Sequence, residues 1–158
     1  MAITLKKASE IAKLRQANEI VAKTLQYLSG QIYPGLSLKE LNLMGESYIH
    51  SLGARPAFKG LYGFPAGVCT SVNEVIIHGI PTEYKLQEGD IVGLDIGTEI
   101  DGWYGDSAVT LPVGKVSQND LALIACAKDA LYYAIDIIEA EMRFKELSHA
   151  IEQFILAR

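Results

Sequence analysis

The sequence predicts an α+β fold, an antiparallel sheet with helices packed on one face. Three observations carry that reading. Apolar residues recur at helical spacing at both ends of the 158-residue chain, and this pattern lapses over residues 54–114, where Gly, Pro, Val and Ile dominate. Asp101-Gly102 stands between two apolar runs, and both positions of such a pair accept the positive φ that a two-residue hairpin needs. The helical pattern of the first fifty residues also returns near the C-terminal end in one unbroken register.

The elements follow in order. Ile11, Leu14, Val21, Leu25 and Leu28 mark a first helix over about 9–28, with Ser9 as its expected N-cap and Gly30 as its stop. Pro34-Gly35 is a turn. Ser37 and Glu40 are spaced as a capping box, each able to satisfy the other's backbone N–H. The helix they open spans about 37–52 and turns Leu38, Leu41, Tyr48, Ile49 and Leu52 inward before Gly53. In the sheet segment, Val72 to Gly79 reads as a strand, Glu88-Gly89-Asp90 as a turn, Ile91 to Ile100 as a second strand and Trp103 to Val113 as its return. Two helices close the chain, at about 117–138 and 144–158. An offset of 106 residues places Leu25 on Leu131, Lys39-Glu40-Leu41 on Lys145-Glu146-Leu147, Tyr48 on Phe154 and Ile49 on Ile155. A helix–helix–sheet unit thus begins twice. The second copy reaches Arg158 where the first would enter its strands, so a second sheet half is expected outside these residues. The whole is read as one domain, 1–158.

Composition narrows the function classes. With 49 % apolar and 21 % charged residues the chain is globular rather than disordered. A net charge of −5 argues against a nucleic-acid footprint or a basic membrane-binding face. No leader peptide and no apolar run of roughly 18–20 residues is visible, so a cytoplasmic location is expected. Cys69 and Cys126 have neither metal-ligand spacing nor the density of a disulfide framework, and read as reduced thiols.

Two carboxylates stand out. With a two-residue turn at Asp101-Gly102, Ile100 pairs with Trp103, Gly97 with Asp106 and Asp95 with Ala108. Residues two apart share a face, so Asp95 and Asp106 become diagonal neighbours, with backbones roughly 7–8 Å apart. Gly93 and Gly97 on that face are expected to leave open space beside them. Two such carboxylates are either solvated strand residues or a pair that shares a proton or a cation. Oxygen ligands of this kind suit divalent metals. Asp101 is a turn residue.

The motifs around these positions resemble those of type I methionine aminopeptidases. Asn73-Glu74-Val75-Ile76-Ile77-His78-Gly79-Ile80-Pro81 is similar to that family's histidine motif. Gly89-Asp90-Ile91-Val92 with Leu94-Asp95-Ile96-Gly97 resembles the strand carrying its first metal aspartate, and Asp101 to Asp106 the strand carrying the second. Arg55-Pro56-Ala57-Phe58, Gly63-Phe64-Pro65 and Cys69-Thr70-Ser71 fit the preceding stretch. The resemblance covers essentially the whole chain.

It implies the N-terminal half of a pita-bread fold, the fold of creatinase and the aminopeptidases, built from two pseudo-symmetric αβ halves. It implies a metalloprotease that removes the initiator methionine from nascent proteins, acting near the ribosome, and monomeric when whole. Two divalent ions (Co, Mn, Fe, Zn or Ni are not distinguished) would be held by two aspartates, a histidine and two glutamates. Asp95 and Asp106 match the aspartates. His78 matches a catalytic histidine that contacts the substrate peptide without binding metal, and Phe64 and Cys69 match the walls of the methionine pocket. Asn73 and Val75 fall where a monovalent cation binds backbone oxygens. The other three metal ligands have no counterpart in residues 1–158. The expectation is therefore a chain inactive alone, with exposed edges that favour self-association. Two other readings remain open, a non-catalytic peptide- or protein-binding module of the same fold and a proline-specific aminopeptidase.

Overall fold

The computed structural model describes residues 4–158. The chain divides into two compact units after Lys115. The first holds the sheet and two helices, α1 (Ala8–Ser29) and α2 (Leu38–Ser51). Helix α1 starts one residue before Ser9, so Ser9 is not its cap. The Glu10 carboxylate accepts the Lys7 N–H at 2.7 Å instead and draws Lys7 into the N-cap position. Gly30 ends the helix as expected, with a right-handed φ of −76°. Helix α2 is opened by the expected box, with Glu40 N–H donating to Ser37 Oγ at 3.2 Å and Ser37 N–H to Glu40 Oε2 at 3.0 Å. Ile11, expected to face inward, is exposed, and the buried stripe of α1 begins at Ala17.

The sheet has four strands: β1 (Arg55–Pro56), β2 (Val68–Val72), β3 (Ile91–Ile100) and β4 (Trp103–Pro112). All pairings are antiparallel. β4 occupies one edge of β3 along its full length, so β1 and β2 share the other. Alternate residues of β3 (Val92, Leu94, Ile96 and Thr98) are buried, in a core shared with Val21, Leu28, Leu41 and Ile49 of the helices. Helix α1 runs so close to the hairpin that Thr98 Oγ1 donates to the Ala17 carbonyl at 2.9 Å. The helices thus cover one face, and the face carrying Gly93, Asp95 and Gly97 stays free of them.

One strand is displaced from its expected place. Val72–Gly79 is not a strand. The strand is Val68–Val72, and residues 73–79 form a loop. The β-branched run Val75-Ile76-Ile77 suggests extended structure, but Asn73 and His78 adopt φ of 51° and 57°, which a strand cannot hold. Val75, Ile76 and Ile77 are consequently exposed.

The second unit contains α3 (Gln118–Ile137) and α4 (Phe144–Leu156). It repeats the helix pair of the first at the expected offset. Arg143 N–H donates to Glu146 Oε2 at 3.0 Å, as Ser37 N–H does to Glu40. Tyr27 stacks on Tyr48 with ring centroids 4.4 Å apart, and their counterparts Tyr133 and Phe154 stack at the same 4.4 Å. Two residues conserve a contact that composition alone would not preserve, so the repeat is a repeat of packing. This unit holds no strand, and Leu131, Phe144 and Ile155, the counterparts of buried Leu25, Leu38 and Ile49, are exposed.

Candidate functional site

The β3–β4 hairpin turns at Asp101 and Gly102, with φ of 52° and 79°. This is the positive-φ pair of a type I′ turn, whose twist matches the strands it joins. The register is the expected one: Gly97 faces Asp106 and Asp95 faces Ala108. On the other side of β3, Cys69 faces Asp95. Cys69, Asp95 and Asp106 therefore share the face turned away from α1 and α2. Burial raises the Asp95 carboxyl above the usual carboxylate range. Repulsion from Asp106 and the chance to share its proton raise it further, while His78 partly offsets this. The same surroundings, burial first and then the two aspartates, push the Cys69 thiol up to about 11. At pH 8 a disulfide reagent should therefore modify Cys126 well before Cys69. Equal rates for the two thiols, followed by peptide mapping, would contradict this account of the site.

The space around the carboxylates differs from expectation. Gly97 does not face open room, because the Phe58 ring lies directly on it and a Cβ there would collide with ring carbons. Gly93 is flanked at ordinary contact distance by Ser71 and Thr110. Glycine at 97 thus admits an aromatic ring, and the ring forms one wall of the site.

His78 reaches the site from the 73–79 loop. Thr70 N–H donates to the Gly79 carbonyl at 2.8 Å, and Gly79 N–H to Ser71 Oγ at 3.1 Å. A side chain at 79 would overlap the Thr70 carbonyl, so only glycine lets the loop close on β2. Asp90 anchors the start of the loop. It accepts from Asn73 Nδ2 at 2.8 Å, Tyr84 Oη at 2.9 Å and Gln87 N–H at 2.8 Å, while Asn73 Oδ1 accepts the Ile91 N–H at 3.0 Å. Burial opposes ionisation of Asp90, but these three donors outweigh it and hold the carboxyl below its ordinary 3.8. A depressed acid stabilises the fold above its unfolded pKa and loses that contribution as pH falls through the folded one. Asp90→Asn should therefore be destabilising at pH 7, by about 1–3 kcal/mol, with the difference from wild type shrinking below pH 3.8. Urea melts at pH 7 and pH 3 check both parts. A pH-independent difference would remove the carboxylate from the account.

Phe58, Leu61, Phe64, Cys69, His78 and Ile80 help to line an apolar cavity of about 410 Å³. Three residues expected to contact substrate, Phe64, Cys69 and His78, thus meet at one cavity. Asp95 and Asp106 stand beside it through Cys69 and Phe58. Sequence reasoning did not single out Phe58, Leu61 or Ile80 as site residues; the aromatic and glycine-rich run from Phe58 to Phe64 was the available signal. Asn73 and Val75 border a second cavity of about 370 Å³, together with Thr70, whose buried Oγ1 has no partner among the described residues. His149 lies on the α4 surface, 3.4 Å from Glu152.

Residues 12–158 match metallopeptidase family M24. The chain belongs to that family. Over all 158 of its residues it is 56 % identical to the methionine aminopeptidase of Helicobacter pylori strain 26695, and it covers 62 % of that protein. The crystal structure of methionine aminopeptidase from Thermotoga maritima superposes with a TM-score of 0.95 at 34 % identity, over 99 % of this chain and 63 % of that one. The enzyme from Rickettsia prowazekii superposes with a TM-score of 0.94 at 32 % identity, over 97 % and 62 %. The M24 chain thus spans about 62 % of the length of the curated relatives it matches and carries the corresponding part of the pita-bread fold. Among the described residues no helix is long and apolar enough to cross a membrane.

The donor set fits a divalent cation. Two carboxylates share one face, and one of them is raised by burial and by the charge of the other, a repulsion that a cation would relieve. Among the described residues no group of three or more His, Cys, Asp or Glu converges further.

Proposed function

We propose that the M24 chain forms the substrate wall of a methionine aminopeptidase that removes the initiator methionine from nascent proteins. The observation that carries this reading is the apolar cavity shared by Phe64, Cys69 and His78 beside the aspartate pair. The cavity accepts an unbranched apolar side chain, and Phe64 and Cys69 exclude water from it. His78, held by the closed loop at a positive φ, hydrogen-bonds the substrate's peptide group and steadies the charge that develops on its carbonyl. Asp95 and Asp106 hold divalent metal. When bound, such ions lower the pKa of a water and polarise the scissile carbonyl. Backbone oxygens of Asn73 and Val75 hold a monovalent cation beside the second cavity. The setting is the cytoplasm, close to the ribosome, where N-terminal Met peptides emerge.

With two of five metal ligands, residues 1–158 bind methionine without releasing it from peptides, and the exposed α3–α4 face favours self-association. The test is incubation with a Met-Ala peptide and Mn²⁺, Co²⁺ or Fe²⁺, beside a chain extended to the relatives' full length. Methionine release by the extended chain, with methionine binding but no release by the 158-residue chain, is expected. Release by the short chain alone would overturn the binding-only reading. No methionine binding and no release by either chain would overturn the function.

A further inference from the structure

The apolar cavity is built mainly by a loop that no ladder holds. Leu61, Tyr62, Gly63, Phe64 and Pro65 all line it. The loop's internal bonds, such as Gly60 N–H to the Phe64 carbonyl at 2.8 Å, fold it on itself. Gly60 and Gly63 take φ of 87° and 82°, which glycine accepts, but Tyr62 between them is held at 49°, a strained value for a bulky residue that something outside the loop must offset.

That something is a carboxylate on helix α2. Glu46 is buried, at 8 % exposure, on the helix side of the sheet. Its Oε2 accepts from Lys59 Nζ at 2.6 Å, just before the lining residues. Its Oε1 accepts the Gly67 N–H at 3.0 Å, just after them, and Asn42 Nδ2 at 3.0 Å. Asn42 Oδ1 in turn accepts the N–H groups of Gly67 and Val68, both at 3.0 Å. A Cβ at Gly67 would lie 2.6 Å from Glu46 Cγ, so the returning chain is seated on the glutamate stem. One side chain thus grips both ends of the lining segment, and its desolvation is compensated only while all its partners stay in place.

We propose that Glu46 is the positioning residue of the side-chain pocket, with Lys59 as the counterion that closes the grip, so that this pair sets how tightly the pocket takes an unbranched apolar side chain. This rests on the function proposed above. Without the lysine the glutamate still seats Gly67, but the leading end of the loop is released and Phe58, one residue before Lys59, loses its fixed seat on Gly97.

The experiment compares wild type, Lys59→Met, Lys59→Arg and Glu46→Gln in the 158-residue chain. It follows amide hydrogen exchange by mass spectrometry, thermal melting, and binding of L-methionine and L-alanine by saturation-transfer NMR. Lys59→Met and Glu46→Gln should weaken methionine binding about threefold to tenfold. They should accelerate exchange over residues 60–66 while exchange in α1 and β3 stays unchanged. Lys59→Arg should restore both. Unchanged loop exchange and unchanged methionine affinity in Lys59→Met would overturn the proposal, as would acceleration spread uniformly over the first unit. Should wild type bind no methionine, the functional reading fails while the exchange pattern still decides the role of Glu46. Should Glu46→Gln not fold, Lys59→Met decides it.

Discussion

Gly105→Val should strongly destabilise the first unit. The Cβ of any residue at 105 would lie 2.6 Å from the Ala17 carbonyl carbon and 2.7 Å from both the Ala17 oxygen and the Asn18 nitrogen. These are backbone atoms of a helix and have no rotamer by which to retreat. Moving α1 away would break the Thr98–Ala17 bond and the 3.3 Å bond from Asp106 N–H to Asn18 Oδ1. Overpacking of an ordinary core costs about 1–3 kcal/mol, and a collision with helix backbone should exceed it, reaching about 4 kcal/mol or more. Against a total stability of roughly 5–15 kcal/mol this removes a large share. Gly30→Ala is the control, since its Cβ would meet only the Tyr27 carbonyl at 3.5 Å. Circular-dichroism melts should show little change for Gly30→Ala and a large loss for Gly105→Val. A Gly105→Val chain melting within about 1 kcal/mol of wild type would contradict the packing described.

Asp106→Ala should have the largest effect on activity. It removes one of two converging carboxylates and with it the repulsion that adds to burial in raising Asp95. The Asp95 carboxyl should therefore fall part of the way toward the usual carboxylate range, and the Cys69 thiol, which burial and then both aspartates raise, should fall slightly with it. Mn²⁺ affinity should drop by more than the roughly 10–100-fold typical of losing an outer-shell partner. Methionine release by a chain of the relatives' full length should vanish. Carbon-13 titration of Asp95 and Mn²⁺ line broadening read the first effects in the 158-residue chain. Unchanged Mn²⁺ broadening around Asp95 and Cys69 would sink the assignment of the pair as metal ligands.

The register of the hairpin was legible in the sequence to the residue. Asp101-Gly102 leaves a two-residue turn no alternative register, and the facing of Asp95 and Asp106 follows from that turn alone. The capping box at Ser37 was legible for the same reason, since all its partners lie within four residues. What escaped depends on distant partners. Ile76 and Ile77 have strand propensity, yet Asp90 and Ser71, from other parts of the chain, hold their segment as a loop. Cys69-Thr70-Ser71 reads as strand or loop, and it is strand because β3 offers it a free edge. The seat of Phe58 on Gly97 joins residues 39 apart, and no local pattern announces it. The site's charged half was therefore readable from one turn, and its apolar half only from the folded chain. Asn18 beside Asp106 shows the same division on a smaller scale, whereas Ser9 lost the cap of α1 to a local bond from Lys7 to Glu10.

The bond from Thr98 to Ala17 bridges 81 residues. Closing so long a loop delays the contacts it serves, and folding rates fall as contacts become less local. During synthesis at roughly 5–20 residues per second, α1 waits several seconds before β4 exists to cover it. Its 22 residues make a helix long enough to survive that wait only marginally in water. The α3–α4 stack, by contrast, joins Tyr133 to Phe154, near neighbours in the chain. Upon dilution from denaturant, the unit made last on the ribosome should be the first to acquire its contacts.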